Sequence, residues 1–146
     1  RDMGATHTIN PNSEDPVEAV ARLTGGAMAD LVVEAVGEAE TFALLPKLAR
    51  RNAHVICFGV PDKKDHTGVI PMPMLDIYRK ELRLIASIGP NPMEDYTIAL
   101  DWIVQGRLDV KPLISHVLPF ERIQEGFEAA FDTPEGSRSF KVILSF

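Results

Sequence analysis

The sequence predicts an α/β protein with helices packed on a mostly parallel sheet. Short β-branched runs such as Leu31-Val32-Val33 alternate with longer amphipathic stretches. The apolar runs are continuous, as in strands covered on both faces. Glycine or proline stands at most changes of pattern, at Gly25-Gly26, Gly37, Gly59, Gly89-Pro90 and Gly106.

The first expected element is a strand near Thr6 to Ile9. A helix follows from Asp15, whose carboxylate can cap free backbone donors, with Pro16 suited to the first helical position. Val17, Val20, Ala21 and Leu23 form its inward stripe, and Gly25-Gly26 supply a left-handed stop. Leu31 to Gly37 reads as a strand buried on both faces. A helix from Glu38 to Arg50 offers Phe42, Leu45 and Leu48 to the core, with Pro46 removing one backbone donor. Ala53 to Val60 is a second buried strand, holding Cys57 in its interior. The loop from Pro61 to Gly68, with Asp62, Lys63, Lys64, Asp65 and His66, is a mixed-charge surface turn. Thr67 to Met72, a short helix from Met74 to Arg79 and a strand from Leu82 to Ser87 close the first half.

Past Gly89-Pro90 the pattern starts again. Asn91 and Pro92 open a helix whose first turn carries Glu94 and Asp95, matching the positive end of its dipole. Tyr96, Ala99, Trp102 and Ile103 form its expected inward stripe, and Gly106 ends it. Ile114 to Pro119 is a strand, Phe120 to Phe131 a helix with Ile123, Phe127 and Phe131 on one side, and Phe140 to Phe146 the last strand. The division of domains is therefore 1–88 and 89–146.

The 146 residues allow one ordinary domain with a hydrophobic core or two partial ones. A net charge of −6 with no basic patch argues against nucleic acid and anionic membranes as partners. Every apolar run is shorter than the roughly 18 residues a membrane-spanning helix needs, and no leader pattern is seen, so the expected location is cytoplasmic. With a single cysteine, Cys57, no internal disulfide can form.

Open parallel sheets bind ligands beyond the carboxyl ends of their strands, which directs attention to Ala35-Val36-Gly37 and Phe58-Gly59-Val60-Pro61. Either glycine alone is an ordinary turn residue; the two at neighbouring strand ends suggest a surface a ligand can approach closely. The phosphate-cradling Gly-x-Gly-x-x-Gly motif is absent from the 146 residues. A catalytic zinc site needs about three ligands, yet His7, His54, His66, His116 and Cys57 are scattered among separate segments. No metal ligand and no catalytic residue is assigned. Lys141, entering the last strand, is the one basic residue placed to meet a phosphate, although a solvated strand-edge lysine is the simpler reading.

The runs Lys111-Pro112-Leu113-Ile114-Ser115-His116-Val117-Leu118-Pro119-Phe120-Glu121 and Phe140-Lys141-Val142-Ile143-Leu144-Ser145-Phe146 resemble the carboxyl end of zinc-type medium-chain alcohol, polyol and threonine dehydrogenases. Met3 to Ile9, Leu23 to Gly26, Ala29 to Gly37, Phe58 to Val60, Lys80 to Leu82, Ala86-Ser87 and Pro112 to Glu125 match the family pattern in order. The resemblance implies a partial Rossmann domain over 1–88, its second half. Residues 89–146 become the αβαβ segment that returns to the catalytic domain. It also implies NAD or NADP as cofactor, zinc held by residues preceding Arg1, and a small alcohol or carbonyl substrate.

By the same resemblance Val36 and Gly37 lie beside the adenosine half of the cofactor, Phe58 and Val60 beside nicotinamide, with Gly59 among the cofactor-binding residues, and the backbone of Ala86 and Ile88 holds the carboxamide. Lys141 resembles the residue that neutralises the pyrophosphate, and the strand Leu82 to Ser87 resembles the one that pairs across a homodimer. Asn52-Ala53 stands where the family often has a Gly-Gly turn. The implied activity is hydride transfer in the parent enzyme, with the 146 residues alone inactive. A zinc-free quinone oxidoreductase of the same superfamily, or a non-catalytic nucleotide-binding or assembly segment, is the alternative.

Overall fold

A computed structural model describes residues 4–61, 69–87, 89, 91–131 and 139–146. It divides into two compact units, Arg1–Gly89 and Pro90–Phe146. In the first, helix α1 (Pro16–Leu23) precedes strand β1 (Ala29–Glu34), helix α2 (Ala39–Leu48), strand β2 (Ala49–Cys57), helix α3 (Met74–Lys80) and strand β3 (Arg83–Ala86). The strands form one parallel sheet in the order β1-β2-β3. The second unit contains α4 (Pro92–Val104), β4 (Ile114–Pro119), α5 (Ile123–Phe131) and β5 (Lys141–Ser145), with β4 and β5 paired in parallel.

Local chemistry explains where the helices start and stop. Asp15 Oδ1 accepts from Val17 N at 2.7 Å and Glu18 N at 3.0 Å, with Pro16 as the first helical residue. At the other end of α1, Gly25 and Gly26 take φ of +60° and +86°, and Gly26 N donates to Ala21 O. Helix α2 continues through Pro46 and ends two residues later. The ammonium of Lys80, on α3, donates to Pro46 O at 2.7 Å and Ala49 O at 2.9 Å, satisfying carbonyls the helix end leaves free. Asn52 adopts φ +60°, supplying the left-handed geometry a glycine would have, beside a fully buried Ala53.

The core of the first unit is Val32, Phe42, Leu45, Ala49, Ala53 and Val55, where α2 packs on β1 and β2. Full burial of side chains the size of Leu45 and Phe42 stabilises by about 1.5–3 kcal/mol each.

Several expectations are corrected. Residues Thr6 to Ile9 form no strand, because no neighbouring strand pairs with them. Strand β1 is covered on one face only: Val32 and Glu34 point into the protein, while Leu31 and Val33 are each 53% exposed. With α2 on the other side, the face carrying Leu31, Val33 and Ile85 stays open. The buried residue of α1 is Ala19, and Leu23 is exposed. Cys57 ends β2 half-buried instead of lying inside it. Strands β1 and β2 end at Glu34 and Cys57, so the segments leading to Gly37 and Val60 are turns. Helix α4 buries no side chain, and Tyr96, Trp102 and Ile103 are exposed. Ile123, Phe127 and Phe131 line an open apolar groove against Val142 and Leu144. A periodic apolar stripe identifies a helix face, but it buries that face only where a second element covers it. The expected surface turn at Asp62 to His66 lies outside the described residues.

Candidate functional site

The parallel register brings three strand ends into one line: Glu34 pairs with Cys57, and Cys57 with Ala86. The segments that follow β1 and β2 therefore emerge side by side, as parallel pairing requires. They touch more closely than side chains would allow. Gly37 has φ +100°, and a Cβ on it would stand 2.1 Å from Val60 O. A Cβ on Gly59 would meet Glu34 Oε2 at 2.3 Å and Gly37 N at 2.5 Å. Both glycines are thus required by backbone approach, and at Gly37 by conformation also.

A cleft of about 240 Å³ opens at these strand ends, lined by Phe42, Cys57, Phe58, Gly59, Val60, Pro61, Ala86 and Ser87. Its lining is mostly apolar, and Phe58 and Val60 stay more than half exposed. Of the residues singled out in the sequence, Phe58, Gly59, Val60 and Ala86 share this cleft. Val36 lines a neighbouring hollow with Glu34, Thr41 and Leu45, and Gly37 abuts Val60 between the two. Lys141 is exposed at the start of β5, in the second unit, where its carbonyl accepts from Ser115 Oγ at 2.9 Å. Ile88 lies outside the described residues.

The residue that sequence reasoning passed over is Glu34. It is 3% exposed. Its Oε1 accepts from Val36 N at 2.9 Å, Gly37 N at 2.8 Å and Thr41 Oγ1 at 2.7 Å. Its main-chain oxygen accepts from Phe58 N and Gly59 N, both at 2.9 Å. Burial pushes the carboxyl pKa up, but the Gly37 N–H, the Thr41 hydroxyl and the N–H groups of Val36 and Gly59 outweigh it, and the net shift is downward. An ionisable residue inside the apolar run Leu31 to Gly37 was the available signal. Burial, reinforced by the Glu34 charge, raises the pKa of the Cys57 thiol and keeps it protonated.

Metal ligation finds no support here. Among the described residues no group of three or more His, Cys, Asp or Glu side chains could hold an ion. His7, His54 and His116 instead lie within hydrogen-bond reach of Thr6, Arg83 and Ser115 respectively.

The sequence model for zinc-binding dehydrogenases matches residues 1–105. The chain belongs to that family. L-threonine 3-dehydrogenase from Bacillus licheniformis is 32% identical over 126 residues, covering 86% of this chain and 35% of that protein. Alcohol dehydrogenase TADH from Thermus sp. ATN1 superposes with a TM-score of 0.78 at 32% identity, over 93% of this chain and 37% of that one. A chain from Sinorhizobium meliloti 1021, solved with NADP bound, superposes with a TM-score of 0.77 at 26% identity, over 98% and 40%. The chain thus spans less than half the length of these relatives. Its α/β fold with parallel sheets is the Rossmann-like carboxyl-terminal part of zinc-binding dehydrogenases. The metal in the family's name has no donor set among the described residues, which do not fit a zinc site.

Proposed function

We propose that this chain is the cofactor-facing carboxyl-terminal portion of an NAD(P)-dependent oxidoreductase acting on an alcohol, a polyol or a hydroxy-amino acid. The observation that carries the reading is the convergence of Gly37, Phe58, Gly59, Val60 and Ala86 at three aligned parallel strand ends. An apolar cleft with exposed main chain and an aromatic wall suits a flat heteroaromatic ring. A nicotinamide held there would supply hydride transfer. The chain's own residues bind and orient: Phe58 and Val60 pack on the ring, the main chain of Ala86 receives its carboxamide, and Val36 and Gly37 flank the adenosine side. Because no donor set for zinc is found among the described residues and no phosphate-loop motif occurs in the sequence, the 146 residues alone turn over no substrate and bind dinucleotide weakly or not at all.

The protein forms a homodimer through β3. That strand is an edge of the described sheet, all four of its residues are exposed, and Leu84 and Ile85 make it apolar. No described helix is long and apolar enough to cross a membrane; we place the protein in the cytoplasm. Incubating the full-length protein with NAD or NADP and L-threonine, sorbitol or simple alcohols, and following formation of reduced nicotinamide, tests the activity. Turnover that a chelator abolishes is expected. Chelator-insensitive reduction of quinones, with no alcohol oxidation, would replace this reading with the zinc-free one.

A further inference from the structure

We propose that Glu34 is the positioning residue of the cleft, holding the turn after β1 and the loop after β2 in the one arrangement that shapes the dinucleotide surface. This rests on the dinucleotide reading given above. A single residue ties three segments together. Its Oε1 takes the Val36 and Gly37 amides and the hydroxyl of Thr41, in the first turn of α2, and its main-chain oxygen takes the Phe58 and Gly59 amides. The other carboxylate oxygen, Oε2, is buried with no hydrogen-bond partner and lies against Gly59. A buried acceptor left unpaired costs stability, which offsets part of what the donors to Oε1 contribute, so stability alone does not account for the carboxylate. It is well explained as a clamp, because only an acceptor at this point reaches both Val36-Gly37 and Thr41 while its backbone holds Phe58-Gly59. Gly37 and Gly59 then permit the close approach that the clamp enforces.

The test uses the full-length protein and titrates NADH and NADPH by fluorescence, with thermal melting in parallel. Glu34→Gln keeps an acceptor but loses the charge and places an amide against Gly59; its dinucleotide Kd is expected to rise about tenfold or more. Thr41→Val removes one donor to Glu34 and Thr41→Ser retains it, so Thr41→Val should weaken binding severalfold and Thr41→Ser restore it, with similar melting temperatures. If Glu34→Gln does not fold, the Thr41 pair decides. Unaltered protein that binds dinucleotide, with Thr41→Val binding equally well, overturns the role of Glu34 alone. Unaltered protein that binds neither dinucleotide overturns the reading beneath it.

Discussion

Lys80 Nζ donates to Pro46 O at 2.7 Å across 34 residues of sequence, joining the end of α3 to the proline-bearing end of α2. The proline removes a helical donor two residues before the helix stops, and the ammonium satisfies carbonyls left over there. The contact also fixes α3 against the last turn of α2, immediately before β3 begins.

Replacing Lys80 by Met keeps much of the stem and removes the charged donor. Hydrogen bonds to a charged group contribute about 1.5–3 kcal/mol, and a loss of about 2 kcal/mol is expected in urea unfolding followed by circular dichroism. An unchanged midpoint would show that water replaces the ammonium at no cost.

Gly59→Ala places a methyl group 2.3 Å from Glu34 Oε2 and 2.8 Å from Val36 N. The backbone must yield, because two of the three nearest atoms are main-chain nitrogens. Overpacking of this kind costs about 1–3 kcal/mol, and the displaced loop should also weaken dinucleotide binding. Melting and titration of the same variant separate the two effects.

The pH dependence of stability should carry the signature of Glu34. Its folded pKa lies below the ordinary 4.5, so the ionised form is favoured by folding. That contribution is fully present above about pH 4.5 and is lost as pH falls through the lower folded value. The difference in unfolding free energy between the unaltered protein and Glu34→Gln should be constant above that range and change as the carboxylate takes up its proton. A difference that stays constant throughout the acid range would show that the carboxyl has no shifted pKa.

Ile85 is 45% exposed on an edge strand. Ile85→Lys puts a charge where a second β3 would pair, a device that blocks edge-to-edge association. Light scattering on a sizing column should report a dimer for the unaltered protein and a monomer for the variant. A monomer in both cases would remove β3 as the interface.

Much of this architecture was legible along the chain. Asp15-Pro16 and Gly25-Gly26 bracket α1 by local hydrogen bonding and backbone freedom alone, and Pro92 takes the first helical position of α4, although the Asn91 side chain makes no capping hydrogen bond there. Gly37, Phe58, Gly59 and Val60 could be singled out because strand ends are recognisable from a change of pattern, whereas Ala86 came only from the family resemblance. Glu34 could not be assigned, because its five acceptor contacts join residues from three segments, and nothing in the spacing of Val36 and Phe58 says that they converge. Expected burial failed at Leu31, Tyr96 and Phe127 for a related reason: periodicity marks an apolar face without naming what covers it.

The sequence by itself determined the parallel α/β class, where α1, α3 and α4 begin, and the family, because capping, turn chemistry and ordered motifs are properties of short stretches; the helix expected to reach Arg50 instead ends at Leu48, since Ala49 and Arg50 enter β2. Tertiary structure alone decided that Glu34, Cys57 and Ala86 stand in line, that Gly37 and Gly59 are packed against opposing backbone, and that Lys80 completes α2. Those relationships depend on the register of parallel strands, and register is set only when the helices between them have packed.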